Sequence, residues 1–519
     1  MKAILENKWW VSISAGILLG LSFPPINLSI LVFPAFVLLF HLNKLTNSYK
    51  ELAYVSYPAF VIWNLITTYW LMMASLAAGI AAILANAVLM TIPLCIGKFA
   101  EKRFSSAWVV VLVQAFSWVG YEYFHHNWDL GWPWLTVGNA WANYPSLVSY
   151  ISITGMLGIS FWVLFTSALL YRAWYHKQNT IRYAALSTLL IFPVLSFVVQ
   201  LSKSSTQDEG QTTVTIVQPN FDSYHRFGGY ESQDVALDIA LSVSDSARTS
   251  NTQLIIWPEN SVDTYLRDRS LYKQRIADSA YAWNTDVLFG SGYEERYTDD
   301  LPTMYRERAS GAKYNVFNVA NYINTQNESQ IYKKRSLVPI VERMPFVHFL
   351  AAIDVFEWVD WGKAAGFGKG TEPVTFSNPS GFVTPGLVCY DSVFPGWVRQ
   401  FVNEGANFLT VITNDGWWGN TSGHHQHFAY ARLRAIEFDR WIARSANNGI
   451  SGIIAPDGSI KMKTEYWERT GFTYNIGLRS SQTIYAAYGD WLAASGSVFV
   501  MLVWLYGYFR KPSSNESQS

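Results

Sequence analysis

The chain has 519 residues, balances 38 Lys+Arg against 38 Asp+Glu, and is only 15% charged, where an ordinary soluble protein carries about 25%. It is too long for one ordinary domain, and part of it is built for a medium other than water. Zero formal net charge with no Lys/Arg-rich run excludes a nucleic-acid partner held through its phosphates, and two cysteines, Cys95 and Cys389, exclude a disulfide scaffold.

The charge shortage is concentrated in residues 1–200, which hold ten basic and five acidic side chains. Apolar stretches long enough to cross a hydrocarbon core, about 17–25 residues each as helix, lie at about 8–24, 27–42, 54–73, 76–97, 107–124, 146–171 and 183–202. An eighth lies at about 483–509. Phe23-Pro24-Pro25 separates the first two, as suits a tight hairpin, because proline cannot continue a helix. The first stretch lacks a small-x-small cleavage site and another span follows at once, so an uncleaved helix is expected there.

Threading these spans places Lys2, Lys8, Lys44, Lys50, Lys98, Lys102, Arg103, Arg172, Lys177, Arg182, Arg510 and Lys511 on one side. The opposite loops carry only Glu122 and Asp129. The positive-inside rule makes the basic side cytoplasmic. Both termini are then cytoplasmic and residues 203–480 lie outside the cytoplasm, where a free Cys389 is a liability unless it is buried or used.

Residues 203–211 form a polar linker, after which Thr212–Val217 alternates in β-branched residues and reads as a strand. Short apolar runs follow at Leu254–Trp257, Val287–Gly290, Val316–Ile323, Gly386–Tyr390 and Phe408–Thr413, with helical patterns at 232–249 and 427–445. This alternation predicts an α/β domain in which helices cover a sheet. Reactive residues in such folds sit where strands end, and three expected strand ends here carry titratable groups: Glu259, Cys389 and, in the segment Tyr332–Pro339, Lys334.

From Phe346, the residues Phe349, Ile353, Phe356 and Val359 recur at helical spacing. That face suits either a lid in the bilayer interface or a helix packed on the sheet. The run His424-His425-Gln426-His427 lacks an accompanying Cys or carboxylate at familiar ligand spacing, so polar packing at a helix start is expected there, and no metal.

Leu254-Ile255-Ile256-Trp257-Pro258-Glu259, Tyr332-Lys333-Lys334-Arg335-Ser336-Leu337-Val338-Pro339 and Gly386-Leu387-Val388-Cys389-Tyr390-Asp391, in this order, resemble the Glu-Lys-Cys site of the nitrilase superfamily. The membrane framing narrows the resemblance to its apolipoprotein N-acyltransferase family. Leu21-Ser22-Phe23-Pro24-Pro25, Gly131-Trp132-Pro133-Trp134-Leu135, Val217-Gln218-Pro219-Asn220, Asn414-Asp415-Gly416-Trp417-Trp418-Gly419 and Arg444-Ser445-Ala446-Asn447-Asn448-Gly449 are similar to further motifs of that family. Two positions depart from the pattern. Asp391 stands where the family often has Glu, and Ile340-Val341-Glu342-Arg343 replaces an aromatic-Gly-Glu.

The resemblance implies a polytopic α-helical membrane protein of about eight transmembrane helices with an inserted nitrilase-like αββα sandwich. Its parts are a seven-helix membrane domain over 1–202, an extracytoplasmic, periplasmic catalytic domain over 203–480, and a last helix with a cytoplasmic tail over 481–519. It implies a bacterial inner-membrane acyltransferase without a cofactor. A glycerophospholipid acylates Cys389 as a thioester, and the α-amine of a diacylglyceryl apolipoprotein takes the chain. Glu259 is then the base, and Lys334 with the backbone N–H of Tyr390 stabilises the oxyanion.

Glu342 and Asp391 either orient Lys334 or form structural ion pairs. Tyr390, Trp417 and Asn315 either line the substrate pocket or pack the core. A membrane-tethered amidase of the same superfamily, and a non-catalytic lipoprotein-binding protein, are the rival readings.

Overall fold

The computed structural model describes residues 5–176, 178–203, 207–267, 270–354 and 356–509. Lys2, Lys177, Arg510, Lys511, the tail from Ser513 and residues 204–206 of the expected linker lie outside the described residues. The chain divides into two compact units, one of Met1–Trp128, Trp132–Ser205 and Tyr488–Ser519, the other of Asp129–Gly131 and Thr206–Ala487.

The first unit is helical. Among the described residues, four helices are long and apolar enough to cross a membrane: Leu76–Arg103, Leu157–Tyr175, Asn179–Ser202 and Trp491–Phe509. The other expected spans correspond to Lys8–Ser22, Val32–Leu45, Tyr49–Thr68 and Ala107–His125, which are shorter or less apolar. The stretch expected at 146–171 is not one helix. It opens with two single turns, Pro145–Val148 and Ile151–Thr154, and Gly155 at φ +68° breaks the chain before Leu157. Lys98 is buried, and its ammonium donates to Asn43 O (2.8 Å), Thr46 O (2.7 Å) and Thr46 Oγ1 (2.9 Å) just past the C-terminus of Val32–Leu45. Unsatisfied carbonyls and the negative end of the helix dipole meet there.

The second unit is a two-sheet sandwich. In the first sheet, β1 (Gly210–Gln218), β2 (Leu254–Ile256), β3 (Val262–Leu266) and β4 (Asp286–Tyr297) are joined by β5 (Arg306–Glu307), β6 (Lys313–Ile323), β7 (Ser329–Lys333) and β14 (Thr470–Leu478). Strands β1, β2 and β4 are parallel neighbours, whereas β6 pairs antiparallel with β4 and β7 with β6. The second sheet runs β13 (Ile460–Lys463), β12 (Gly452–Ile454), β11 (Ile442–Ala446), β10 (Leu409–Thr413), β9 (Val383–Val388), β8 (Thr375–Ser377), with β9, β10 and β11 parallel.

Val214, Ile216, Leu254, Ile256 and Leu288 from one sheet pack with Leu387, Val411 and Ala443 from the other. Each fully buried large aliphatic side chain contributes about 1.5–3 kcal/mol. The alternate residues Val217, Ile255, Val287 and Phe289 face outward onto the helices Gln233–Ala247 and Leu271–Trp283, through Leu237, Ala240, Ile276 and Ala280. Helices Pro395–Asn403 and Ser422–Phe438 contribute Val398, Phe401, Ala431 and Ala435 to the core shared with the second sheet, which completes the αββα order.

Strands β1 and β14 pair antiparallel from Gly210↔Leu478 to Gln218↔Thr470. The Ser480 hydroxyl donates to Glu209 Oε1 (2.7 Å), and Arg479 Nε donates to Asp208 Oδ1 (2.7 Å).

Two expectations for this unit are corrected. The helix expected over 427–445 ends at Phe438, because Asp439 turns left-handed at φ +54° and Ile442–Ala446 becomes a buried central strand. The amphipathic stretch from Phe346 forms helix only over Val347–Ala352, and Phe349, Ile353 and Trp358 are exposed.

Candidate active site

Lys334 and Cys389 follow directly on strands, and Glu259 follows a strand within three residues. Glu259 comes three residues after β2, pressed against β4: a Cβ at Gly290 would meet Glu259 Cα at 2.5 Å, so only glycine admits this approach. Lys334 continues β7, its N–H bonded to Asn318 O on β6 (2.9 Å). Cys389 comes directly after β9 and begins the tight turn Cys389–Val393.

The structure brings Glu259, Lys334 and Glu342 together around one buried ammonium. Lys334 Nζ donates to Glu342 Oε1 at 2.8 Å and to Glu259 Oε1 at 3.3 Å. Lys334 is 1% and Glu259 4% exposed. The second oxygens are held by main chain: Asn414 N–H donates to Glu259 Oε2 (3.0 Å) and Val338 N–H to Glu342 Oε2 (2.8 Å). Asn318 Nδ2 donates to both carboxylates, 2.7 Å from Glu259 Oε1 and 3.3 Å from Glu342 Oε1.

Neither Asn318 nor the Asn414 peptide was expected at the site. The signal for Asn318 is an amide in mid-strand among Val316, Phe317, Val319 and Ala320, since a buried amide needs partners.

Burial opposes the charge on Lys334, but the two carboxylates outweigh it and hold the ammonium well above the ordinary lysine value. Burial pushes the Glu259 carboxyl up, with a further push from Glu342 and resistance from Lys334, Asn318 and the Asn414 N–H. The Cys389 thiol is raised well above its usual value by burial first and the Glu259 charge second, with Lys334 acting against both. The resting site is therefore a neutral thiol in electrostatic reach of a carboxylate and an ammonium, and its proton must leave as the sulfur attacks.

The nucleophile turn is strained and tied down. Cys389 sits at φ +47°, in the left-handed region that a non-glycine residue occupies at a cost of about 1–3 kcal/mol. Ser392 Oγ donates to the Cys389 carbonyl at 2.7 Å. Asp391 does not bond Lys334. Its oxygens accept from Ser336 N–H (2.7 Å) and from the Tyr332 hydroxyl (2.8 Å), which in turn accepts from Trp397 Nε1 (2.9 Å). Burial raises Asp391 to about 6, against the pull of Lys334 and these donors.

Tyr390 is buried, with its hydroxyl on Gly131 O (3.0 Å) and its ring edge-on to Phe394. Asn315 is not brought to this cluster. It lies three residues from Asn318, so on the opposite face of β6, and its amide donates to Met304 O (2.8 Å). Trp417 sits half-exposed on the turn Asp415–Trp418, edge-on to Tyr224. The histidine run splits: His424 stacks on Tyr466, and His427 points at Asp415.

Two sheets between helices, with a carboxylate, an ammonium and a thiol delivered at strand ends, define an α/β sandwich of the kind that carries thiol nucleophiles. The chain belongs to the carbon-nitrogen hydrolase family, whose model matches residues 213–486, and residues 15–169 match the apolipoprotein N-acyltransferase N-terminal domain.

Among curated relatives, the apolipoprotein N-acyltransferase of Chlorobaculum tepidum is 28% identical over 94% of each chain. That of Geobacter metallireducens is 24% identical over 96% of this chain and 95% of its own. Among solved structures, an amidase from Nesterenkonia sp. aligns with 51% of this chain and 90% of its own, at 18% identity and a TM-score of 0.35.

Proposed function

We propose that this protein is an apolipoprotein N-acyltransferase acting through a thioester on Cys389. The observation that carries the reading is the buried Glu259–Lys334–Glu342 cluster in electrostatic reach of the Cys389 thiol, in a chain whose relatives of that name match it nearly end to end.

In the first half-reaction Glu259 takes the thiol proton as Cys389 Sγ attacks the ester carbonyl of a glycerophospholipid. Lys334 and the Tyr390 N–H stabilise the tetrahedral oxyanion. The ester C–O bond breaks, Glu259 returns the proton to the departing lysophospholipid, and the thioester remains. In the second, the α-amine of a diacylglyceryl-cysteine attacks the thioester, Glu259 accepts a proton from nitrogen, the C–S bond breaks and the thiol is restored. Glu342 keeps Lys334 aimed at the reacting carbonyl, and Asp391 holds the Ser336 peptide that follows Lys334. Tyr390 and Trp417 are read as walls of the lipid and acceptor sites.

The organisation that fits is eight membrane spans: a membrane domain over 1–202, a periplasmic catalytic domain over 203–480, and a C-terminal helix from 481, with both termini in the cytoplasm of a bacterial inner membrane. Lys98 is unsuited to testing it, being buried, but Lys50 and Gln211 are exposed. A cysteine at Gln211 reacts with an impermeant thiol reagent on intact cells and one at Lys50 does not; the reverse pattern overturns the orientation.

The chemistry is tested by intact-mass measurement after mixing the protein with phospholipid. An acyl-sized gain on Cys389, with lysophospholipid released in a burst of up to one equivalent and the chain then passed to a diacylglyceryl peptide, is the expected result. Steady release of free fatty acid at the same rate with and without the peptide discards the reading in favour of an amidase-like hydrolase.

A further inference from the structure

Behind the nucleophile turn runs a line of buried polar groups that the chemistry above leaves unused. Arg444 on β11 donates through Nη2 to Asp415 Oδ2 (2.7 Å) and through Nε to Ile450 O (3.1 Å). Asp415 Oδ1 accepts from Thr413 Oγ1 (2.8 Å) and lies 2.9 Å from His427 Nδ1. His427 Nε2 is 3.1 Å from Ser392 Oγ, and that hydroxyl is 2.7 Å from the carbonyl oxygen of Cys389. None of the four side chains reaches solvent: Arg444 and Asp415 are 0%, His427 1% and Ser392 3% exposed. Burial alone would raise Asp415, but Arg444 and then His427 overcome it and keep the carboxylate ionised.

Two features give this line a purpose beyond packing. Cys389 occupies a left-handed backbone conformation that persists only if its surroundings enforce it, and the Ser392 hydroxyl grips the carbonyl of that residue. At the other end, Asp415 adjoins Asn414, whose N–H holds Glu259 Oε2 at 3.0 Å. The line therefore joins the mount of the nucleophile to the mount of the base. His427 is its middle link, carried in on a different element, the helix Ser422–Phe438.

We infer that His427 is a positioning residue for Cys389: through Ser392 it fixes the nucleophile's peptide, and through Asp415 the Asn414 peptide, so that thiol and Glu259 keep one separation through both half-reactions. The inference deepens the acyltransferase reading and rests on it for the reaction, though not for the geometry.

Paired amide substitutions test it in the full-length protein in detergent. The amide of His427→Gln reaches the Nε2 position and Ser392, carrying both a donor and an acceptor. That of His427→Asn reaches only the Nδ1 position and Asp415. Acyl-enzyme formation is followed by intact mass across a range of phospholipid concentrations, the rate of Cys389 alkylation by iodoacetamide is measured in parallel, and a thermal midpoint is recorded for each variant.

The expected result is that His427→Gln stays within about threefold of wild type. His427→Asn and Ser392→Ala lose about 10- to 100-fold in maximal acylation rate at unchanged half-saturating phospholipid, the size of effect that a misplaced reacting group produces. Equal impairment of the two amide variants overturns the inference, as does a loss that appears in half-saturation instead of rate. So does a loss that follows the thermal midpoint while alkylation stays at the wild-type rate. Should wild-type protein form no acyl-enzyme, the acyltransferase reading fails separately. The alkylation rates then decide: Gln above Asn and Ser392→Ala retains His427 as the thiol's positioning residue, and no such order removes it.

Discussion

Among the described residues, the most deeply buried lysine of each unit, Lys98 at 2% and Lys334 at 1% exposure, is held in a different way. Lys98 in the helical unit hydrogen-bonds only to dipoles, the Asn43 and Thr46 carbonyls and the Thr46 hydroxyl, at 2.7–2.9 Å. Lys334 in the sandwich faces two full charges, Glu342 at 2.8 Å and Glu259 at 3.3 Å. Dipoles at a helix end hold an ammonium in place but have no proton to exchange. A pair of carboxylates leaves the Lys334 site with an excess negative charge in a medium that penalises it. Burial raises the Glu259 carboxyl, Glu342 adds to the rise against the pull of Lys334, and Glu259 is left a stronger base than an ordinary glutamate. The same residue type is thus an anchor in one unit and an electrostatic tool in the other.

The largest expected difference between the units is in cysteine. Cys389→Ala removes the acyl-enzyme and all N-acylation, whereas Cys95→Ala, half-buried beside the Tyr49 carbonyl, leaves both intact by intact mass and peptide acylation.

Next come the lysines themselves. Lys334→Met slows acylation by roughly 10²–10³-fold through loss of oxyanion stabilisation, while Lys98→Met leaves the rate within about twofold and costs about 2 kcal/mol of stability, as expected for hydrogen bonds to a charged group. A rate loss in Lys98→Met as large as in Lys334→Met would erase the distinction.

The pH dependence sharpens it further. Glu259 must be ionised to accept the thiol proton, and its folded value is raised, so the burst rate falls on acidification while the pH is still above the ordinary carboxylate range. Glu259→Gln abolishes that acid limb together with most of the burst.

An effect on stability and not on rate is expected at Asp391, raised from 3.8 to about 6. A folded carboxyl raised above its unfolded value binds the extra proton in the native state, so stability is lost as pH rises through this window. The loss is about 3 kcal/mol at most. Asp391→Asn should flatten the fall in thermal midpoint between pH 4 and 6.5; an unchanged slope would show that another group carries it.

Glu259 and Cys389 were legible because buried strands leave a plain mark, an apolar run broken by a polar residue, whereas Lys334 follows the mixed strand Ser-Gln-Ile-Tyr-Lys and was legible only through the resemblance. Its neighbour Lys333 pairs with Glu295 at 2.6 Å. Other parts left no such mark. The Asn414 contribution is a main-chain N–H, which no residue identity encodes. Strand β11 reads Ile-Ala-Arg-Ser-Ala, with one β-branched residue and a buried arginine, and its burial comes from neighbours distant in sequence. The single helix expected across 146–171 failed at Gly155, where one residue at positive φ outweighs a largely apolar stretch. Lys98 counted with the solvated basic residues, because charge patterning cannot tell a lysine in water from one on carbonyl oxygens.

The antiparallel pairing of β1 with β14 has a consequence for how such a chain is assembled. The first and last strands of the sandwich lie side by side, roughly 5 Å apart, and are clasped at their outer ends by Asp208, Glu209, Arg479 and Ser480. Once the sandwich has formed, the polypeptide on either side meets its roughly 280 residues as no more than the closed end of a hairpin. The entropy of closing so long a loop is then met inside the sandwich by its own core. Helices that precede and follow it in sequence are spared that cost, so a membrane-type unit interrupted by an entire enzyme domain can assemble with the economy of an uninterrupted one.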